Sequence, residues 1–132
     1  MAQIRVLLVD DEEIFVQSIL KALERRGMAV RGAPNGIAAL EILGEQDFDV
    51  IVLDVMMPGM DGVATLKSIK ELNPAMPVII LSGHIGIKQV SEALKSGAAE
   101  ILLKPCSVEA LVTSIENACE RKRYTDGLKG LR

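Results

Sequence analysis

Five side chains in this chain of 132 residues have types and settings that could do chemistry: Asp10, Asp11, Asp54, Ser82 and Lys104. Each stands where an apolar run stops. Asp10-Asp11-Glu12-Glu13 follows Ile4–Val9, and Asp54 follows Val50–Leu53. Ser82-Gly83-His84 follows Val78–Leu81, and Lys104-Pro105 follows Ile101–Leu103. Singly, each has a structural role open to it. An Asp before a helix caps it, Asp54 could accept loop amide hydrogen bonds, a lone Ser can cap a loop, and a lone Lys is usually solvated. Together they suggest more. Three carboxylates sharing a crevice repel and raise one another's pKa. A hard divalent cation relieves that repulsion, and oxygen ligands suit Mg²⁺ (or Mn²⁺), which keeps several waters and takes substrate phosphate. A carboxylate can attack phosphorus to give an aspartyl phosphate. The three oxygens of the transferred group would then be held by the cation on Asp11, the Lys104 ammonium and the Ser82 hydroxyl. Asp54, between the metal side and the Ser/Lys side, is the best placed nucleophile.

The elements that must position these groups are legible. The runs at 4–9, 50–53 and 78–81 are continuously apolar and rich in β-branched residues, as suits strands covered on both faces. Weaker runs at 28–33 and 101–103 suit strands nearer the edges. Between them lie amphipathic stretches at 12–26, 36–43, 62–72, 86–96 and 107–123. Gly27, Gly44 and Gly97 are expected to stop three of them, and Asn73-Pro74 a fourth. Ser107 is an N-cap type for the last. Cys119 falls on that helix's apolar stripe and reads as core. Strict alternation of five strands and five helices predicts an α/β fold: a doubly wound parallel sheet with right-handed crossovers. Its sites should lie at the carboxyl ends of the strands. The domain is expected over 1–124, with 125–132 a frayed tail or the start of a linker.

Composition excludes several functions. Two Phe, one Tyr and no Trp leave little for stacking bases or sugars. A net charge of −3 argues against nucleic acid as the main partner. The charge is uneven, with +3 over residues 119–132 and −6 over the rest, and the basic end suits a helix C-terminus. No apolar stretch is long enough to span a bilayer. Two cysteines without metal spacing and no visible export signal point to a reducing, cytoplasmic setting.

The segments Val9-Asp10-Asp11-Glu12, Leu53-Asp54-Val55-Met56-Met57-Pro58-Gly59-Met60-Asp61-Gly62, Leu81-Ser82-Gly83 and Leu103-Lys104-Pro105 closely resemble the motifs of receiver (CheY-like) domains of two-component response regulators. The resemblance runs from about residue 3 to about 123. It implies a flavodoxin-like (βα)5 sandwich with sheet order 2-1-3-4-5. It implies that Asp54 is phosphorylated by a partner histidine kinase or phosphotransfer protein. Asp11 would be the direct Mg²⁺ ligand, with Asp10 acting largely through water and Asp54 and the Met56 carbonyl completing the protein's share. Ser82 would be the switch hydroxyl, Lys104 the lysine that pairs with the phosphoryl group, and Pro105 the proline after it, often in a cis bond. His84 and Met56 would flank the path of attacking water and tune the phosphoryl lifetime. Two positions depart from the pattern. Ile101 stands where relatives carry a switching aromatic ring, and Cys106 where Phe is frequent.

The expected role is a phosphorylation-switched signalling module rather than an enzyme with a separate substrate. It would signal through the face of its fourth helix, fifth strand and fifth helix to an output domain, a target protein or a second copy. An aspartyl-phosphate phosphatase is the alternative, but such enzymes usually space their acids as Asp-x-Asp, whereas Asp10 and Asp11 are adjacent. A flavodoxin-type cofactor module would need a Gly/Ser/Thr-rich loop where four acids stand. A receiver acting only through phosphorylation-independent contacts would not need the full acid, hydroxyl and lysine set.

Overall fold

The computed structural model describes residues 3–56 and 62–130. Met57, Pro58, Gly59, Met60 and Asp61 of the long motif lie outside the described residues. The order is β1 (Arg5–Val9), α1 (Glu13–Arg25), β2 (Ala29–Ala33), α2 (Gly36–Glu45), β3 (Val50–Leu53), α3 (Gly62–Leu72), β4 (Val78–Ser82), α4 (Ile87–Lys95), β5 (Glu100–Leu103) and α5 (Val108–Gly130). The strands form one parallel sheet in the order β2-β1-β3-β4-β5. The flavodoxin-like order expected from the sequence is therefore the one observed, with the two weaker runs at the edges.

Unbroken apolar character in the strands has a simple cause. Successive side chains point to opposite faces, and both faces are covered. Leu7, Val9, Ile51, Leu53, Val78 and Ile80 pack with Ala39 and Ile42 of α2, Leu66 and Ile69 of α3 and Ala93 of α4. Their neighbours Val6, Leu8, Val50, Val52, Ile79 and Leu81 pack with Val16, Ile19 and Leu23 of α1 and Leu111, Val112, Ile115 and Cys119 of α5. Cys119 is buried in this second core, as its place on the helical stripe predicts.

Two of the three glycine stops hold. Gly27 and Gly97 have φ of 82° and 100°. The next N–H reaches back in each case, Met28 to the Leu23 carbonyl and Ala98 to the Ala93 carbonyl. These are Schellman closures, which need a left-handed residue. Gly44 is different: it has no positive φ, and α2 runs through it to Glu45 and ends at the extended Gln46. The last helix also departs from expectation. Ser107 caps it as predicted, its hydroxyl accepting from the Ala110 N–H at 3.0 Å, but α5 continues past 123 to Gly130. Thr125 and Gly127 weaken helical propensity without halting the helix.

Candidate functional site

Register brings the chemistry together. Val9 pairs with Leu53 across β1 and β3, and Ser82 with Leu103 across β4 and β5. The ladder then continues one step beyond the strands. The Asp10 N–H donates to the Ala33 carbonyl at 3.0 Å, Asp54 N–H to Val9 at 2.9 Å, and Lys104 N–H to Ser82 at 2.8 Å. Asp10, Asp54, Ser82 and Lys104 therefore leave the sheet along one rim. They straddle the point between β1 and β3 where the winding reverses, the usual place for a site in such sheets.

Asp54 and Ser82 are buried, with 4% and 0% exposure. Asp54 Oδ1 accepts from the Met56 N–H at 2.9 Å and from Ser82 Oγ at 3.0 Å. Ser82 Oγ also lies 3.3 Å from the His84 carbonyl. The hydroxyl expected to switch thus already faces the Asp54 carboxylate. Among the described residues, Asp54 Oδ2 has a single contact, 3.4 Å to Lys104 Nζ. Asp10, also buried, accepts from the Glu12 N–H on Oδ1 at 2.9 Å and from Lys104 Nζ on Oδ2 at 2.6 Å. It is both a loop anchor and a charged member of the site.

Two further residues, not singled out from the sequence, reach Lys104. Glu12 Oε1 accepts from Nζ at 2.8 Å, and the Phe15 ring centroid lies 4.3 Å from Nζ. Glu12 is the N-cap residue of α1, yet its side chain makes no capping hydrogen bond. Its place directly after the acid pair was the available signal. Phe15 could have been noticed as one of three aromatic residues in the chain.

Among the described residues, the acids able to share a cation are Asp10, Glu12 and Asp54, with one carboxylate oxygen from each within 4.8 Å of the others. Asp11, expected from the resemblance as the direct ligand, is exposed and outside this trio. It lines a neighbouring groove with Glu13, Gln17 and Pro34. The cause is local: the Asp10 side chain binds the Glu12 N–H in a tight turn, which leaves Asp11 on the outside. Met56 offers its N–H to Asp54, with its side chain 42% exposed beside Gln89. His84 is exposed, and only its carbonyl meets the site. Ile101 is half-buried against the core on the α2–α4 face. Pro105 follows a cis peptide bond, as expected. The hard oxygen donors present fit Mg²⁺ or Mn²⁺.

Burial alone would lower the Lys104 pKa, but hydrogen bonds to Asp10 and Glu12 and the charges of Asp10 and Asp54 outweigh it and hold it well above the ordinary lysine value. Its stabilising effect is present at neutral pH and fades only in alkali. Burial raises the Asp10 carboxyl above its usual 3.8, against the opposing pull of Lys104 and the Glu12 N–H. A raised carboxyl contributes stability in its protonated form, and that contribution is lost as pH rises through the folded value. Asp10→Asn is therefore expected to stabilise the cation-free protein at pH 7. The gain should vanish below the ordinary carboxylate range. Urea unfolding at the two pH values checks this, and a variant less stable than wild type at pH 7 would contradict it.

A doubly wound sheet in the order 2-1-3-4-5, whose rim gathers an acidic cluster, a hydroxyl and a lysine, defines a flavodoxin-like domain. The chain belongs to the response regulator receiver domain family, whose model matches residues 6–116. It is 45% identical over 121 residues to the transcriptional regulatory protein ZraR of Escherichia coli K12, covering 91% of this chain and 27% of that protein. Among solved structures it is similar to a response regulator receiver domain protein from Clostridium thermocellum, with TM-score 0.86, 36% identity, and 92% and 98% of the two chains covered. A response regulator from Burkholderia pseudomallei, solved with a phosphorylated aspartic acid, calcium ion and citrate, matches with TM-score 0.82 at 29% identity, over 96% of this chain and 75% of that one. The chain spans about a quarter of the length of ZraR. It is a receiver domain of the two-component response regulators, a signalling module. No described helix is long and apolar enough to cross a membrane.

Proposed function

We propose that Asp54 is the phosphoacceptor and that its phosphorylation, by a histidine kinase or phosphotransfer protein in the cytoplasm, sets the state of the domain. One observation carries this reading: Asp54 is buried at the centre of the crevice with Oδ1 held by two donors and, among the described residues, Oδ2 met only by the Lys104 ammonium at 3.4 Å. Oδ2 has the lone pair to spare. It attacks the phosphorus of the donor, the bond from phosphorus to the leaving group breaks with its electrons, and a mixed anhydride forms on Asp54. Bound Mg²⁺ would supply positive charge to the phosphoryl oxygens. Asp10 and Asp54 would hold it, with Glu12 in reach and the roles of Asp11 and the Met56 carbonyl carried over from the family. Ser82 Oγ and Lys104 Nζ would take the remaining phosphoryl oxygens. Later attack by water returns the carboxylate, with His84 and Met56 at the opening tuning its rate. The known phosphorylated aspartic acid of the Burkholderia neighbour supports the reading. The output would pass through α4, β5 and α5 to an output domain, a target or a second copy. The test is uptake of a phosphoryl group from acetyl phosphate with and without Mg²⁺, read by intact mass.

Ser82→Ala should still be phosphorylated but respond less. Loss of one hydrogen bond to a charged group, about 1.5 kcal/mol, would shift the active-to-inactive ratio about tenfold. Backbone NMR shifts of α4 and β5 on adding beryllofluoride measure the response. An unaltered response would remove Ser82 from the coupling.

A further inference from the structure

We infer that Glu12 is a positioning residue that holds Lys104 in a resting station away from the phosphoryl group, an inference that rests on the reading of Asp54 as phosphoacceptor. An ammonium has three N–H donors. Those of Lys104 are engaged by Asp10 at 2.6 Å, Glu12 at 2.8 Å and Asp54 at 3.4 Å. The Phe15 ring stands beside the same nitrogen. The two short contacts are to Asp10 and Glu12, and the contact to the acceptor is the long one. Lys104 is thus drawn to the β1 side of the crevice, and pairing with a phosphoryl group on Asp54 requires it to give up at least one short contact.

Glu12 is the partner easiest to release and the one most specifically built for holding. Its side chain is 62% exposed, whereas that of Asp10 is 1% exposed. It stands at the N-cap of α1, where a carboxylate gains by binding the helix's free N–H groups. It makes no such bond and reaches Lys104 instead. Its backbone N–H is tied to Asp10 Oδ1 at 2.9 Å, which fixes the reach of the side chain. Exposed ion pairs are weak, so the hold is one that a phosphoryl dianion can break. Glu12 therefore slows the step in which Lys104 turns to the phosphoryl oxygens, and because Glu12 is also within reach of a shared cation, its variants are compared at saturating Mg²⁺.

Two variants separate this role from simple repulsion of an anionic donor. Glu12→Gln removes the charge and weakens the pairing. Glu12→Asp keeps the charge but shortens the side chain by one methylene. With saturating Mg²⁺, both are expected to take up phosphoryl from acetyl phosphate about threefold faster than wild type, the size of effect an exposed pair supports. Both should also speed hydrogen exchange at Lys104 Nζ, read from its ¹⁵N NMR signal in the unphosphorylated protein. Acceleration in Glu12→Gln alone would assign the effect to charge repulsion and overturn the inference. So would unchanged or slower labelling in both, or unchanged exchange at Nζ. If wild type took up no phosphoryl group, the reading of Asp54 would fall instead, and the exchange measurement would still decide whether Glu12 holds Lys104.

Discussion

Asp54→Asn is expected to abolish Mg²⁺-dependent labelling by acetyl phosphate, bringing it down to the level of the Mg²⁺-free control. The replacement is nearly isosteric. It keeps a carbonyl oxygen for the Met56 N–H and the Ser82 hydroxyl, which Oδ1 accepts at 2.9 and 3.0 Å. What it loses is the second oxygen. An amide nitrogen has no lone pair to offer phosphorus, and no acyl phosphate can form on it. It also removes one of the three acids within reach of a shared cation, so Mg²⁺ should bind more weakly. Lys104 keeps its two shorter partners, Asp10 and Glu12, and the fold should persist. Circular dichroism and urea unfolding test that point alongside the labelling. A variant that folds and is still labelled at the wild-type rate would place the acceptor elsewhere. Turnover of a small phosphate ester by the wild type would revive the phosphatase reading.

Gly62→Ala is expected to damage both stability and phosphorylation from a position with no chemistry of its own. Gly62 opens α3. A Cβ there would lie 2.2 Å from Val55 Cα and 2.5 Å from the Val55 carbonyl oxygen. Both are backbone atoms, so no side-chain rotation relieves the clash. Val55 is buried and sits between Asp54 and Met56, whose N–H fixes the acceptor carboxylate. The added methyl must push this segment off α3 and loosen Asp54. Overpacking of this kind costs about 3 kcal/mol. For a domain of this size that is roughly a 10 °C fall in Tm. Thermal unfolding and the initial rate of acetyl phosphate labelling should fall together. A variant with wild-type Tm and rate would mean that the segment yields without cost.

The sheet was legible in the sequence because burial on both faces leaves a plain signature. Val6-Leu7-Leu8-Val9 and Val50-Ile51-Val52-Leu53 cannot sit on a half-exposed sheet, and polar groups begin where each run stops. The convergence of Asp10, Asp54, Ser82 and Lys104 followed from strand order alone. Glu12 stands in plain sight after the acid pair, but its contact with Lys104, 92 residues away, depends on a side chain that turns from the helix N-terminus to the crevice, which strand order does not dictate. The exposure of Asp11 depends on one turn closed by the Asp10 side chain. Gly44 does not stop α2, for a physical reason. A glycine ends a helix when the chain takes a left-handed step, as at Gly27 and Gly97, and residue type alone does not dictate that step. Ile101 was readable as a departure from the family, but its packing against the core on the α2–α4 face required the fold.

The length of α5 has a mechanical consequence. Among the described side chains, its last buried contacts with the sheet are at Ala118 and Cys119, halfway along its 23 residues. At 1.5 Å per residue the seated half is about 17 Å long, and the helix backbone runs on for a comparable length. The helix is thus a lever with its fulcrum near the last buried turn. A tilt that moves the seated end by a fraction of an ångström, small enough for the core to absorb, swings the far end through a similar arc in the opposite direction. The seated end begins four residues after Lys104, so the seated arm of the lever starts beside the lysine of the site.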